Sequence, residues 1–296
     1  MPFNQFINHC CQRIDKALEQ HLSQFDAHPK LLEAMRYSLF NGGKRVRPLL
    51  VYASAQAIAD INPITERAAM AIEAIHAYSL IHDDLPAMDD DDLRRGKPTC
   101  HIAFNEATAI LAGDALQAFA FDVLSEAGND ESIEPKTLLT MLHILSRSSG
   151  ANGMVGGQSI DLAAVDQTLT INQLETMHRL KTGALISAST RLGALSTGIA
   201  SDDQLQALQY YSDAIGLAFQ VQDDILDVTS DTQTLGKQQG ADAALSKPTY
   251  IALLGLEASK KKAKQLHEQA LDALSGFDYR ADHLRHLSAY IVNRRS

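Results

Sequence analysis

Apolar residues recur at every third or fourth position along most of this chain, which is the spacing of amphipathic helices. Near the N-terminus the run consists of Phe6, Cys10, Ile14, Leu18, Leu22 and Phe25. Similar runs predict helices near residues 29–40, 44–59, 64–82, 102–126, 136–149, 171–193, 202–229, 247–274 and 281–293. The period-two alternation of strands is nearly absent, so the pattern predicts an all-α fold.

Turn-forming residues fall between the predicted helices, as at Gly42–Gly43, Asn62–Pro63 and the glycine-rich stretch 151–157. No linker, low-complexity tract or change of composition marks a domain boundary. We therefore expect residues 1–296 to form a single domain. The stretches 68–80 and 184–195 are apolar or small on most faces, so we expect them to be buried central helices.

Composition excludes several classes of protein. The chain has 296 residues, 45% of them apolar, and a formal net charge of −10, which argues against a nucleic-acid binder because such proteins need a basic face. Its three cysteines have no metal-ligand spacing and favour a reducing compartment. The start resembles no signal peptide, and the apolar run at 68–81 is interrupted by Glu73 and His76, which predicts no membrane span and a cytoplasmic protein.

One acidic cluster lies in the predicted helix 202–229. Gln220, Asp223, Asp224 and Asp227 stand at i, i+3, i+4 and i+7, so their side chains share one face. Like charges at this spacing repel, and the flanking residues are apolar. Most charge runs are solvated faces, but buried carboxylates need a partner, so the cluster is a candidate site.

A second cluster ends the predicted helix 64–82. His76, Asp83 and Asp84 can share one helical face, whereas Asp89 is six residues beyond Asp83 and would point elsewhere on an unbroken helix. Pro86 makes regular helix beyond Leu85 unfavourable. A turn at this point would bring Asp89 back beside Asp83 and make a joint site.

The chemistry of these clusters favours a hard cation and phosphate. Their ligands are all oxygens, so Mg²⁺ is the leading choice. Arginine forks suit phosphate oxygens, and each basic residue alone would pass as an ordinary surface cation. Together with the two acidic clusters, they point to two polyphosphate groups, and the basic candidates are Lys44, Arg45, Arg47, Arg94, Arg95, Lys181, Lys237 and Lys247.

In these motifs the sequence resembles the trans-isoprenyl diphosphate synthases, most closely the bacterial farnesyl diphosphate synthases. The matching motifs occur in the family's order: GGKRVRP (42–48), DDLPAMD followed by DDLRRG (83–96), GMVGGQSIDL (153–162), KTG (181–183), QVQDDILD (220–227) and TLGKQQGAD (234–242). The resemblance implies the isoprenoid synthase fold, a helical bundle around a deep central cavity, in a homodimer. It also implies Mg²⁺, three ions to a site, with Mn²⁺ as an alternative.

The resemblance implies roles for individual residues. Direct metal ligands would be Asp83, Asp89 and Asp223, and ligands through water or supporting carboxylates would be Asp84, Asp224 and Asp227. The allylic diphosphate would be held by Arg94, Lys181, Thr182, Gln220, Lys237 and Lys247. Isopentenyl diphosphate would be held by Lys44, Arg47, His76 and Arg95. Gln158 and Asp161 would line the cavity behind the reacting carbons.

Product length rests on the residues below Asp83. Ser79 lies one helical turn deeper, and Tyr78 lies five residues deeper, about 7–8 Å at ~1.5 Å per residue. An aromatic ring there, with this length of first motif, resembles the bacterial farnesyl synthases. Without that context Tyr78 would pass as a core tyrosine. The expected product is farnesyl diphosphate.

Other functions stay open from the sequence. A geranylgeranyl diphosphate synthase would share the fold, and a non-catalytic regulatory subunit would tend to lose one Asp-rich motif, whereas both are intact here. A terpene cyclase would have no need for GGKRVRP. The basic tail, Arg294 and Arg295, is not assigned to the site, and Ser246 stands where the family often has Gly, which leaves the placement of Lys247 least secure.

Overall fold

A computed structural model describes residues 1–165, 167, 169–229 and 248–294. Its α-helices, numbered here in chain order within that part, are α1 Phe3–Leu22, α2 Pro29–Leu39, α3 Val46–Ile58, α4 Pro63–Asp83, α5 Cys100–Ala103, α6 Glu106–Ser125, α7 Pro135–Ser149, α8 Met154–Ala163, α9 Ile171–His178, α10 Ala184–Leu195, α11 Asp202–Thr229, α12 Tyr250–Leu254, α13 Leu256–Ala273 and α14 Asp282–Asn293. Short 3₁₀ helices cover Glu126–Asn129 and Tyr279–Ala281, and a π-helical segment covers Arg179–Gly183. The all-α prediction is confirmed.

Helix α4 runs through the centre of the bundle and ends at the first acidic cluster. The helix starts with a capping box. The Asn62 side chain accepts a hydrogen bond from the Thr65 backbone N–H, and the Thr65 hydroxyl oxygen accepts one from the Asn62 backbone N–H. Pro63 occupies the first turn, where its missing N–H costs nothing. The helix packs between α3, α6 and α10, so its apolar and small residues are buried on nearly every face. The prediction of buried central helices is confirmed here.

Two apolar clusters form the core. The larger one lies among α1–α4, α6, α7, α10 and the first half of α11. The smaller one lies around the second half of α11, where Leu217, Val221 and Ile225 pack with residues of α9, α12 and α13. Helix α11 contributes to both clusters and has the bounds that the sequence predicts. The single-domain organisation of residues 1–296 stays a prediction.

Local geometry interrupts the predicted helices at several points. Helix α3 begins only at Val46 because Arg45 has a left-handed backbone with φ 50°. The predicted helix 247–274 breaks at Gly255, which has φ 80°. A two-residue antiparallel hairpin, Leu93–Arg94 with Lys97–Pro98, follows the first acidic cluster and is absent from the sequence prediction.

The stretch Glu106–Asn129 is apolar and long enough to span a membrane by length and composition alone. Of its most apolar window, 44% is buried inside the protein, where α6 packs against α4 and α2. A core helix passes the same test, so this feature is weak support for a span.

Candidate active site

A deep cavity of about 840 Å³ opens beside the end of α4. Its charged lining residues include Asp83, Lys181 and Arg47, and most of its wall is apolar. The predicted chain-length residues both line it. The lining consists of Arg47, His76, Tyr78, Ser79, Leu80, His82, Asp83, Leu85, Ala87, Met88, Ile110, Met154, Val155, Gln158, Ser159, Leu162, Ala163, Lys181 and Thr182.

The chain turns sharply after α4. The Asp89 backbone N–H donates to the Asp83 carbonyl at 2.9 Å, and the Asp90 N–H donates to the Leu85 carbonyl at 3.2 Å. Asp90 has a left-handed backbone with φ 53°, which lets the loop close around Pro86. The structure thus contains the turn that the sequence predicts, and residues Asp83 and Asp89 lie next to each other.

The environment of Asp83 favours a cation. The pKa of its carboxyl is raised to about 6, mainly by burial; Lys181 and Arg94 lower this pKa, and the carboxylates of Asp89 and Asp84 raise it. A carboxylate whose ionisation is opposed by burial gains most from the charge of a nearby cation.

Asp84 is already paired. Its carboxylate is buried and accepts from the Arg94 Nε at 2.7 and 2.9 Å, and the Arg94 Nη2 also donates to it. Arg94 also lies 3.6 Å from the Asp91 carboxylate. Such a fork on a buried carboxylate fixes the position of the guanidinium. Asp84 thus supports Arg94 in this structure.

The upstream basic motif divides into a structural and a cavity-facing part. Arg45 is buried and donates to Glu73 at 2.6 Å, to Asp15 at 2.7 Å and to the Leu39 carbonyl at 2.7 Å. Arg47 lines the cavity, and among the described residues nothing accepts a hydrogen bond from its Nε. Burial lowers the pKa of Arg47 to about 10. The unpartnered Nε of Arg47 is suited to an anion entering the cavity.

The other three candidates for isopentenyl diphosphate are His76, Arg95 and Lys44. Burial lowers the pKa of His76 well below its usual value, and the charges of Arg47 and Arg95 lower it further. Arg95 donates to the Gly42 carbonyl, which ties the hairpin to the Gly-Gly turn before Lys44. Burial and then the charge of Arg294 lower the pKa of Lys44. This region therefore concentrates positive charge that an anion would relieve.

Two of the allylic candidates, Lys181 and Thr182, lie on the π-helical segment. The Lys181 Nζ lies 2.5 Å from the Asp161 carboxylate, and the Thr182 hydroxyl donates to the Gln220 Oε1 at 2.8 Å. Gly157 on α8 permits this packing, because a Cβ there would lie 2.1 Å from the Lys181 backbone nitrogen. Asp161 thus holds Lys181, whereas the two amide atoms of Gln158 are buried with no partner among the described residues.

The three aspartates of the second acidic cluster differ in their surroundings. Asp223 is half-exposed and lies 2.5 Å from the Arg294 Nη2. Asp224 is buried and accepts from the Tyr250 backbone N–H at 2.6 Å, at the start of α12. Asp227 is buried one turn further along α11. Asp223 is therefore the carboxylate of this cluster most open to an ion.

Arg294 is not among the site residues that the sequence predicts, yet the structure places it beside Asp223. Its Nη2 donates to the Phe219 carbonyl at 2.9 Å as well as to Asp223, and its guanidinium lies 3.9 Å from the centroid of the Phe219 ring. The basic tail is the available signal, but tails are common and sequence spacing cannot show where one folds back. Lys237, Lys247 and Arg295 lie outside the described residues.

The residues present fit a metal that arrives with its substrate. In the part of the chain that the structure describes, no group of three or more His, Cys, Asp or Glu side chains is close enough to hold an ion alone. Oxygen donors are nevertheless available at Asp83, Asp89 and Asp223. Mg²⁺ is usually bound through one or two carboxylates plus substrate phosphates and water, which is what these carboxylates can supply.

This architecture defines the class of protein. The helical bundle contains a largely apolar cavity beside the first Asp-rich segment, and it has the isoprenoid synthase fold. The chain matches the polyprenyl synthetase family over residues 28–276, and it belongs to that family. It is thus a prenyltransferase of isoprenoid biosynthesis.

Individual relatives are similar over nearly the whole chain. A farnesyl diphosphate synthase of Haemophilus influenzae is 49% identical over 99% of both chains. The large subunit 1 of a heterodimeric chloroplastic geranylgeranyl pyrophosphate synthase of Arabidopsis thaliana is 45% identical over 90% of this chain and 73% of its own. A solved geranyltransferase of Helicobacter pylori, complexed with magnesium and isoprenyl diphosphate, is 35% identical and superposes with a TM-score of 0.84 over 99% of this chain and 97% of its own.

Proposed function

We propose that the chain is a farnesyl diphosphate synthase, which condenses isopentenyl diphosphate head-to-tail with dimethylallyl and then geranyl diphosphate and releases diphosphate. The observation that carries this proposal is the cavity of about 840 Å³, whose wall is largely apolar and includes both Asp83 and Tyr78. Because Tyr78 is five residues from Asp83, its ring lies about 7–8 Å below the acidic rim. The name of the Haemophilus influenzae relative supports the same product.

Two groups of basic and polar residues divide the substrates between them. We assign the allylic diphosphate to Arg94, Lys181, Thr182 and Gln220, with Lys237 and Lys247. We assign the binding of isopentenyl diphosphate to Lys44, Arg47, His76 and Arg95. The hydrogen bond from Thr182 to Gln220 and the unsatisfied Arg47 Nε support this division.

Asp83, Asp89 and Asp223 would hold Mg²⁺, supported by Asp84, Asp224 and Asp227. The magnesium in the Helicobacter pylori geranyltransferase complex supports this metal, and three ions, or Mn²⁺ in their place, belong to the proposal. When bound, Mg²⁺ would supply positive charge that favours departure of the allylic diphosphate.

The chain's own residues supply the rest of the chemistry. Arg94 and Lys181 hold the departing diphosphate and stabilise its charge. The allylic C–O bond breaks, the π bond of isopentenyl diphosphate forms the new C–C bond, and a proton is lost, with diphosphate as the acceptor. The apolar wall of the cavity excludes the water that would quench the allylic carbocation.

A geranylgeranyl diphosphate synthase is the second candidate, and the Arabidopsis thaliana relative's name favours it. A non-catalytic regulatory subunit is a third function of a different class, which the intact Asp-rich segments disfavour. We further propose a single domain, a homodimer and a cytoplasmic location. For the dimer, the support is that α6 leaves apolar side chains such as Leu111 exposed (58%).

Product analysis tests the proposal. Purified protein with Mg²⁺, dimethylallyl diphosphate and labelled isopentenyl diphosphate should yield mainly the fifteen-carbon product by chromatography. A twenty-carbon main product would support the geranylgeranyl alternative. Absence of diphosphate release would refute enzyme activity and favour the regulatory subunit.

A further inference from the structure

His82 lies in the cavity wall between Tyr78 of α4 and Ile110 of α6. Neither metal binding nor diphosphate binding explains its presence there. It is one helical turn beyond Tyr78 on α4, so both rings point to the same side. The two ring centroids are 5.6 Å apart with planes inclined by 82°, which is an edge-to-face contact. His82 therefore lies directly over the tyrosine that we assign to the cavity floor.

The opposite edge of His82 is fixed by α6. Its Nε2 lies 3.1 Å from the Ile110 carbonyl oxygen, so this nitrogen carries the proton and donates. The Asp114 carboxylate lies 4.0 Å from the same nitrogen. The imidazole thus links α6 to the ring of Tyr78, and its freedom to rotate is small.

Gly113 provides the space for this arrangement. A Cβ at Gly113 would lie 2.1 Å from the His82 Nε2 and 2.5 Å from its Cδ2, and the three nearest atoms to that position all belong to the imidazole. Since real Cβ atoms essentially never approach so closely, any side chain at this position would force the ring away from α6.

We propose that His82 and Gly113 are positioning residues for product length: together they hold the Tyr78 ring across the cavity and so set where the growing chain stops. This inference rests on the proposed function, because it concerns the product of the same site. Removing the imidazole frees the ring of Tyr78 to swing aside, which deepens the cavity.

Four variants test the link through product ratios. His82→Ala should raise the ratio of twenty- to fifteen-carbon product at least fivefold, and His82→Gln, which keeps an N–H for the Ile110 carbonyl, should restore part of the original ratio. Gly113→Ala should change the ratio at least threefold. In the double variant His82→Ala/Gly113→Ala the added methyl has no ring to displace, so the ratio should equal that of His82→Ala.

The ratio separates positioning from other effects. Damage to the neighbouring Asp83 or to folding would lower turnover without altering product length, and circular dichroism checks the fold. Gly276→Ala, where a Cβ meets nothing within 4 Å, is the matched control and should leave the ratio unchanged. If the parent chain makes fifteen-carbon product and neither single variant alters the ratio, or if the two changes simply add, the positioning proposal is overturned. If the parent chain forms no product, the proposed function itself fails.

Discussion

Removing one partner of the buried Arg45–Glu73 pair should strongly destabilise the chain. Both side chains are 5% exposed, and the Arg45 Nη1 lies 2.6 Å from the Glu73 Oε1. Removing one partner of such a pair costs about 3–5 kcal/mol, because the other charge stays buried without compensation. Asp15 and the Leu39 carbonyl still hold the second nitrogen of Arg45, and the Glu73 Oε2 accepts no hydrogen bond from the described residues. Both facts place the destabilisation by Glu73→Ala at the lower end of this range, at about 3 kcal/mol.

Glu66→Ala is the matched control, since Glu66 also lies on α4 and pairs with an arginine. That pair, to Arg13 at 2.7 Å, has both side chains 30% exposed, so its loss should cost no more than about 1 kcal/mol.

Thermal unfolding at equal protein concentration measures both variants. A loss of about 3 kcal/mol lowers the melting temperature by roughly 6–9 °C for a chain of this length, against about 2 °C or less for the control. If Glu73→Ala unfolds no earlier than Glu66→Ala, the reasoning from burial is refuted, and Arg45 is not what anchors the basic motif.

Three further predictions concern catalysis. Tyr78→Ala should shift products to twenty carbons or more, and an unchanged chromatogram would exclude a capping role. Asp223→Ala should remove nearly all activity while the circular dichroism spectrum stays unchanged, whereas Asp203→Ala, an exposed change in the first turn of the same helix, should stay active. Thr182→Val removes the hydroxyl that donates to Gln220 of α11. Because one hydrogen bond is worth about 1–1.5 kcal/mol, the KM for geranyl diphosphate should rise roughly 5–10-fold. An equal rise in the KM for isopentenyl diphosphate would contradict our division of the substrates.

Regular periodicity predicts most of the fold. Helix α11, Asp202–Thr229, has the predicted bounds because its apolar stripe is unbroken and no proline interrupts it. The turn that returns Asp89 to Asp83 is also predictable, since Pro86 excludes continued helix.

Features set by tertiary contacts are not predictable in this way. Arg45 takes a left-handed backbone to reach Glu73 and Asp15, a cost that only the folded partners offset. The guanidinium of Arg294 reaches Asp223 from 71 residues away in sequence. Local spacing contains no information on either contact, so in the sequence the basic motif looks uniform and the tail looks unrelated to the site.

The π-helical segment Arg179–Gly183 has a consequence for how this protein can change in length. Its wider turn holds one residue more than a regular turn would, and it sets the directions of Lys181 and Thr182. Because each residue adds about 100° of rotation in a helix, losing one residue here would turn the ammonium away from Asp161 while the helices on either side stayed intact. Evolution should therefore keep the length of this segment fixed.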